Sequence, residues 1–229
     1  MKTTVIVNPC AGNGRTAKIW PNIESALKQS IGSFQTEETS CQGDAILLTR
    51  QALDAGATRI VAIGGDGHLN EVLNGFIEND VQLNPQASLS FVMSGTGCDF
   101  QRSLGMSGKW QAAVEKLKDA QIRQIDVGKV SYTAPDKTRK IRYFDNIASF
   151  GLSGAVDHYI DNSKLKKYLG GTMLFLWATI KTVFTHPNQT IRYSIDDGPQ
   201  EEIRTRLGLL ANGRFFGGGM HAAPEAELD

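Results

Sequence analysis

The run GGDGHLN, residues 64–70, follows directly on the apolar stretch RIVAI and sets a carboxylate, Asp66, inside glycine-rich backbone. Glycine lets main-chain N–H groups turn toward an anion at close range, and a helix that begins there adds partial positive charge. A carboxylate in such a loop repels phosphate unless a cation accompanies it or a proton is delivered to it. Mg²⁺ bridging phosphates to Asp66, or a substrate hydroxyl donating to it, meets that condition, and both belong to phosphoryl transfer. The structural alternative is that Asp66 only caps the helix opening near His68.

Two more glycine loops follow apolar runs: VIVNPCAGNGR near the N-terminus and SFVMSGTGCDF at 90–100. One such loop is an ordinary turn. Three at the same topological position share one edge of a parallel sheet and make a phosphate-binding crevice, beyond the carboxyl ends of the strands. No G-x-x-x-x-G-K-S/T is present, and GNG at 12–14 lacks the third glycine of the dinucleotide fingerprint.

The elements that must hold these loops alternate. Residues 5–8 read as a strand, 12–30 as loop then helix, 34–39 as a weaker strand, 43–56 as a helix and 59–63 as a second apolar strand. Leu69, Val72, Leu73 and Phe76 fall on one helical face, 88–93 is a strand, and Trp110, Ala113, Val114 and Leu117 mark a helix side. This order predicts an α/β fold, a three-layer doubly wound parallel sheet over residues 1–124. From 125 to 229 the pattern turns β-rich. Long strands are expected at 122–132 and 140–151, joined through TAPDKT, then a helical stretch at 152–184 and strands at 189–196 and 202–213.

Composition narrows the class. Twenty-four Lys and Arg balance twenty-four Asp and Glu, which gives no support to a nucleic-acid binder. Three cysteines, Cys10, Cys41 and Cys98, without C-x-x-C spacing fit a reducing, cytoplasmic compartment. The apolar run at 168–184 holds two glycines and Lys181. Its clean part is about 12 residues against the ~20 that span a bilayer, so it reads as a buried or membrane-facing helix. The basic run KLKKY at 164–168 precedes it, a solvated helix end or an attraction to anionic lipid at the inner membrane face. His158, His186 and His221 match no metal spacing; Arg102 and Lys109, just past the third loop, could steady phosphates, although two isolated cations are more often surface residues.

NPCAG, GGDGHLNEVLNG and GTGCDFQRSLG, in that order, resemble the diacylglycerol kinase catalytic domain family, which includes bacterial lipid kinases and sphingosine and ceramide kinases. The likeness continues through IDVGKV, NIASFGLSGAV and GGGMHAAPEAELD; the GGDG element is shared with NAD kinases. The resemblance implies a kinase that uses ATP and Mg²⁺ to phosphorylate a lipid at a membrane surface. By position it places Asn8, Pro9, Cys10, Ala11 and Gly12 at the ATP phosphates and Thr39 on the nucleotide. It makes Gly64, Gly65, Asp66, Gly67, His68, Leu69 and Asn70 the main nucleotide loop, with Asp66 catalytic beside the transferred phosphate. Gly95, Thr96 and Gly97 would meet the nucleotide, and Asp99 would support their loop. The metal ligands are not assigned.

The second domain would be a β-sandwich-like lipid domain. Three departures stand out: His68 replaces the usual threonine of GGDGT, Cys98 the usual asparagine of GTGND, and the sequence ends at APEAELD where relatives continue with DG and further strands. Those strands bring a structural Mg²⁺ site and an acidic residue proposed as general base. The second domain is therefore expected to be incomplete, with unpaired edges that invite association, a homodimer included. Two other readings stay open on sequence: a catalytically impaired nucleotide-binding remnant of the same family, and an NAD kinase.

Overall fold

The structure, a computed structural model, describes residues 1–106, 108–163 and 171–228. The first elements in chain order are β1 (Thr3–Val7), α1 (Ala11–Ile31), β2 (Gln35–Glu38), α2 (Asp44–Asp54), β3 (Arg59–Gly64) and α3 (Asp66–Phe76). A small hairpin, β4 (Ile77–Glu78) and β5 (Val81–Gln82), leads to β6 (Ser88–Met93), α4 (Asp99–Ser103) and α5 (Trp110–Lys116). Four strands form one all-parallel sheet in the order β2-β1-β3-β6. The order reverses between β1 and β3, so the loops leaving those two strands flank the switch point where ligands of such sheets bind.

Strand alternation explains the layers. Val5, Val7, Val61 and Ile63 pack with Trp20, Ile23 and Leu27 of α1 and with Ala113 and Val114 of α5. Their neighbours Ile6, Ile60 and Ala62 pack with Ala45 and Leu53 of α2 and with Leu69, Val72 and Phe76 of α3. Every residue of β3 is buried, as a central strand covered on both faces requires. The expected helical face of Leu69, Val72, Leu73 and Phe76 is the buried face of α3.

The later elements are β7 (Gly128–Thr133), β8 (Arg139–Phe144), β9 (Ile147–Gly151), α6 (Leu152–Asn162), α7 (Gly171–Thr185), β10 (Gln189–Tyr193), β11 (Glu201–Thr205), β12 (Leu207–Ala211), β13 (Phe215–Phe216) and β14 (Met220–His221). They make small two-stranded sheets: β7 with β8, β9 with β12, β10 with β11, and β13 with β14. The four strands expected in this half are shorter or divided. Within 122–132 the strand begins only at Gly128, 140–151 breaks at Asp145 and Asn146, 189–196 ends at Tyr193, and 202–213 breaks at Arg206. The breaks have tertiary causes. Asn146 donates its side-chain amide to the Phe215 carbonyl (2.8 Å), and its own carbonyl accepts from Asn212 and Gly213 (both 2.8 Å). The Arg206 carbonyl accepts the N–H of Leu152 (2.7 Å).

Met1–Ile147 with Ala211–Asp229 form one compact unit and Ala148–Leu210 a second. The helical stretch expected at 152–184 is two helices, α6 and α7, and the basic run 164–168 lies outside the described residues. Among the described residues no helix is long and apolar enough to cross a membrane.

Candidate functional site

Backbone meets backbone where the glycine loops converge. A Cβ on Gly95 would lie 2.5 Å from the Gly65 Cα. The Gly64 carbonyl accepts the N–H groups of Ser94 (2.8 Å) and Gly95 (3.2 Å). On the other side of Ser94, a Cβ on Gly12 would meet its carbonyl oxygen at 2.8 Å, and the hydroxyls of Thr16 and Ser94 bond at 2.6 Å. Gly12, Asn13 and Gly14 are all left-handed (φ 61°, 57° and 78°), so the chain turns sharply before the regular part of α1. Glycine at 12 thus answers both a positive φ and a close approach. Asn8 shapes the start of this turn by accepting the Cys10 N–H on its side chain (3.0 Å), and its own N–H donates to the Ile63 carbonyl (2.9 Å).

Beside this junction lies an open hollow of about 460 Å³, lined by Asn8, Cys10, Thr39, Ser40, Cys41, Gln42, Gly67, His68, Asn70, Glu71 and Arg142. The size suits a small ligand. Thr39 continues the sheet by donating its N–H to the Val7 carbonyl (2.9 Å). Asp44 ties down the next turn, accepting the N–H groups of Ser40 (2.7 Å) and Cys41 (2.9 Å). Glu71 accepts the Gly43 N–H (3.0 Å). The N-terminus of α3 carries no side-chain cap, so first-turn N–H groups remain there for an anion.

Asp66, Asp99 and Asp145 do not line the hollow. Asp66 turns toward α4 and accepts the Phe100 N–H (3.1 Å), with the N–H groups of Cys98 and Asp99 also bonded to it. It caps, but it caps α4 rather than its own helix. Burial, aided by the negative charge of Asp99, raises its carboxyl above the usual range. Asp99 accepts from the Arg102 guanidinium (2.6 Å) and from the Gly218 N–H (2.8 Å). Asp145, at the β8–β9 break, is 7% exposed. Burial pushes its carboxyl up to about 6, with the Asp66 charge adding to the rise. The Asn70 side chain and the Asn146 N–H are bonded to it and oppose that rise.

His68 does not present a charge to the hollow. It is buried, its Nε2 lies 2.9 Å from the Ile6 carbonyl, and burial lowers its pKa. Nε2 therefore carries the proton that the carbonyl accepts, and the ring is neutral near pH 7. Gly64 makes room for it: a Cβ there would sit 2.7 Å from the imidazole. Cys98 is held at φ 56° and ψ 41°, a left-handed conformation that asparagine tolerates better. Burial pushes its thiol up to about 11.

Of the residues singled out from sequence, Asn8, Cys10, Thr39, Gly67, His68 and Asn70 line the hollow together. Gly12, Gly64, Gly65 and Gly95 build the junction beside it. Pro9 and Ala11 shape the first turn, Pro9 accepting from Ala17 (3.2 Å) and Ala11 donating to Asn8 (3.2 Å). The Leu69 side chain belongs to the core, Thr96 is exposed, and neither lines the hollow; Gly97 packs against the Asp66 carboxylate. Sequence reading missed Ser40, Gln42, Glu71, Arg142 and Asp145. The signal for Asp145 was an acidic residue inside the otherwise strand-like IRYFDNIASFG. Among the described residues no group of three or more His, Cys, Asp or Glu is arranged to hold a metal ion.

A family model described as "Diacylglycerol kinase catalytic domain" matches residues 2–130, and one described as "YegS C-terminal NAD kinase beta sandwich-like domain" matches residues 146–229. A protein of Chromohalobacter salexigens named "Probable lipid kinase YegS-like" is 30% identical over 220 residues, 95% of this chain and 66% of the relative. A "Diacylglycerol kinase" of Staphylococcus carnosus is 27% identical over 231 residues, covering 100% of this chain and 69% of the relative. The chain thus spans about two thirds of the length of the curated relatives it matches. A crystal structure of a diacylglycerol kinase from Bacillus anthracis superimposes with a TM-score of 0.69 at 21% identity, covering all of this chain and 72% of that one, which shows the common fold.

Proposed function

The chain belongs to the diacylglycerol kinase catalytic domain family, and on that premise we propose that it transfers the γ-phosphoryl group of ATP to the hydroxyl of a diacylglycerol-like or sphingoid lipid. The observation that carries this reading is the junction of Gly12, Gly65 and Gly95 around Ser94, beside a hollow of ligand size. ATP, when bound, supplies the phosphoryl group, and Mg²⁺ neutralises its charge. The residues present fit such a group. The uncapped first turn of α3 offers N–H donors to phosphates, and Asn8 and Thr39 line the same hollow.

In this reading Asp66 has two tasks. Its bonds to the start of α4 keep the second and third glycine loops in register. Burial also makes its carboxylate a stronger proton acceptor, suited to take the proton of the lipid hydroxyl. Peripheral lipid contact fits α7, where Met173, Leu176, Trp177, Ile180 and Phe184 recur at helical spacing and are all exposed, Phe184 at 86%. Thr179, Thr182 and Thr185 on the same helix turn their hydroxyls back onto its own carbonyls, which leaves these groups satisfied in an apolar setting.

The test is transfer of label from radiolabelled ATP to diacylglycerol or sphingosine in mixed micelles, with the wild type and Asp66→Asn. The expected result is labelled lipid with the wild type and a loss of about 100-fold or more with the variant. Equal transfer by both removes Asp66 from the chemistry. No transfer to any lipid by the wild type overturns the reading.

A further inference from the structure

Arg142 lines the hollow without belonging to any of the glycine motifs. We infer that its guanidinium is the cationic contact for the phosphate chain of the nucleotide; this rests on the nucleotide-binding reading above and deepens it.

Arg142 is the one Lys or Arg among the residues that line the hollow. It is half-buried, and among the described residues its side chain has no hydrogen bond and no ion pair. Arg102, the cation beside the third glycine loop, is already committed to Asp99 and to the Gly97 carbonyl. Glu71, the acidic residue of the same lining, is engaged with the Gly43 N–H.

The position of Arg142 is fixed by its neighbour in the chain. The Tyr143 N–H donates to the Asn74 side chain (3.0 Å), and the Tyr143 carbonyl accepts from Asn70 (2.8 Å) and Asn74 (2.9 Å). Two asparagines one helical turn apart thus staple β8 to α3. Successive side chains of a strand face opposite ways. The Tyr143 hydroxyl reaches Asp80 (2.5 Å), whereas Arg142 faces the hollow.

The Arg142 guanidinium has no protein partner among the described residues, and an anion entering the hollow supplies one. Its planar fork matches two phosphate oxygens. The uncapped first turn of α3, on the same wall, adds N–H donors that favour the same charge. Loop, helix end and arginine therefore converge on a phosphorylated ligand from three elements.

The experiment is calorimetric titration of the whole chain, wild type, Arg142→Gln and Arg142→Lys, with ATP, ADP, AMP and adenosine. The ATP dissociation constant is expected to rise about 10- to 100-fold in the Gln variant and less in the Lys variant. Adenosine binding should change less than about twofold, because it offers no phosphate. Melting curves within about 2 °C of wild type establish that the variants fold, as a rim residue allows. ATP binding by Arg142→Gln at wild-type strength overturns the inference and leaves the function standing. An equal loss for adenosine and ATP overturns it too, since the contact would then be to the nucleoside. A wild type that binds none of the four removes the nucleotide reading, and the inference with it.

Discussion

Gly95→Ala is the perturbation that bears most sharply on how the glycine loops are joined. The new Cβ would lie 2.5 Å from the Gly65 Cα and 3.3 Å from the Gly65 nitrogen. Both obstacles are backbone, so no side chain can swing aside. Ordinary contact at about 3.5 Å requires the two loops to part by roughly 1 Å. That displacement carries the bonds from Ser94 and Gly95 to the Gly64 carbonyl, now 2.8 and 3.2 Å, beyond useful length. Two lost main-chain bonds at about 1 kcal/mol each, with the overpacking, give a cost of about 2–4 kcal/mol. For a chain of this size each kcal/mol lowers Tm by about 2–4 °C, so a fall of roughly 5–15 °C is expected. Thermal unfolding followed by circular dichroism reads this directly. The comparison is Gly67→Ala: a Cβ there meets nothing within 4 Å and the backbone is not left-handed. That variant should keep its Tm or gain slightly from helix propensity. A Gly95→Ala protein that melts with the wild type would refute the close approach of the loops.

Two further outcomes follow from burial and exposure. Asp145 has a carboxyl pushed up to about 6, above the ordinary 3.8, so its ionisation opposes folding. The penalty is absent below about pH 4, grows between about 4 and 6, and is complete above, at about 3 kcal/mol. Asp145→Asn should therefore stabilise the protein at pH 8 more than at pH 4.5, and a pH-independent difference in Tm would contradict this. On α7, the double variant Trp177→Ser, Phe184→Ser removes two exposed aromatic rings. It should reduce sedimentation with anionic vesicles severalfold while leaving ATP affinity unchanged; unaltered vesicle binding would exclude that helix as the lipid contact.

The β-α alternation of the first half was legible because each element carries its own period: β3 is an unbroken apolar run, and α3 has one apolar face. The glycine loops were legible for the same reason, since strand ends and helix starts bracket them. What sequence did not reveal depends on partners distant in the chain. At the break, the Asp145 carbonyl accepts the Asn212 side-chain amide and the Asn146 carbonyl accepts the N–H groups of Asn212 and Gly213, while Ser103 and the Phe215 carbonyl hold the Asn146 side chain. Nothing local announces those partners. Arg142 reads as one more residue of a β-strand until Asn70 and Asn74 bring that strand onto α3. His68, which the resemblance places in the nucleotide loop, lines the hollow, but the absence of a side chain at Gly64 lets its ring fold inward to the Ile6 carbonyl, which nothing local announces. Asp66 is a helix cap, as its position allowed, but of α4, where it accepts the N–H of Phe100, 34 residues along the chain.

The most direct test is a titration of the isotopically labelled chain with Mg²⁺ and ATP, following backbone amide resonances. The account predicts that signals of 8–14, 39–42, 65–70 and 94–97 move together along a single binding curve, with those of 189–205 unmoved. Shifts confined to other surfaces, or loops that respond with different affinities, would contradict a common nucleotide hollow.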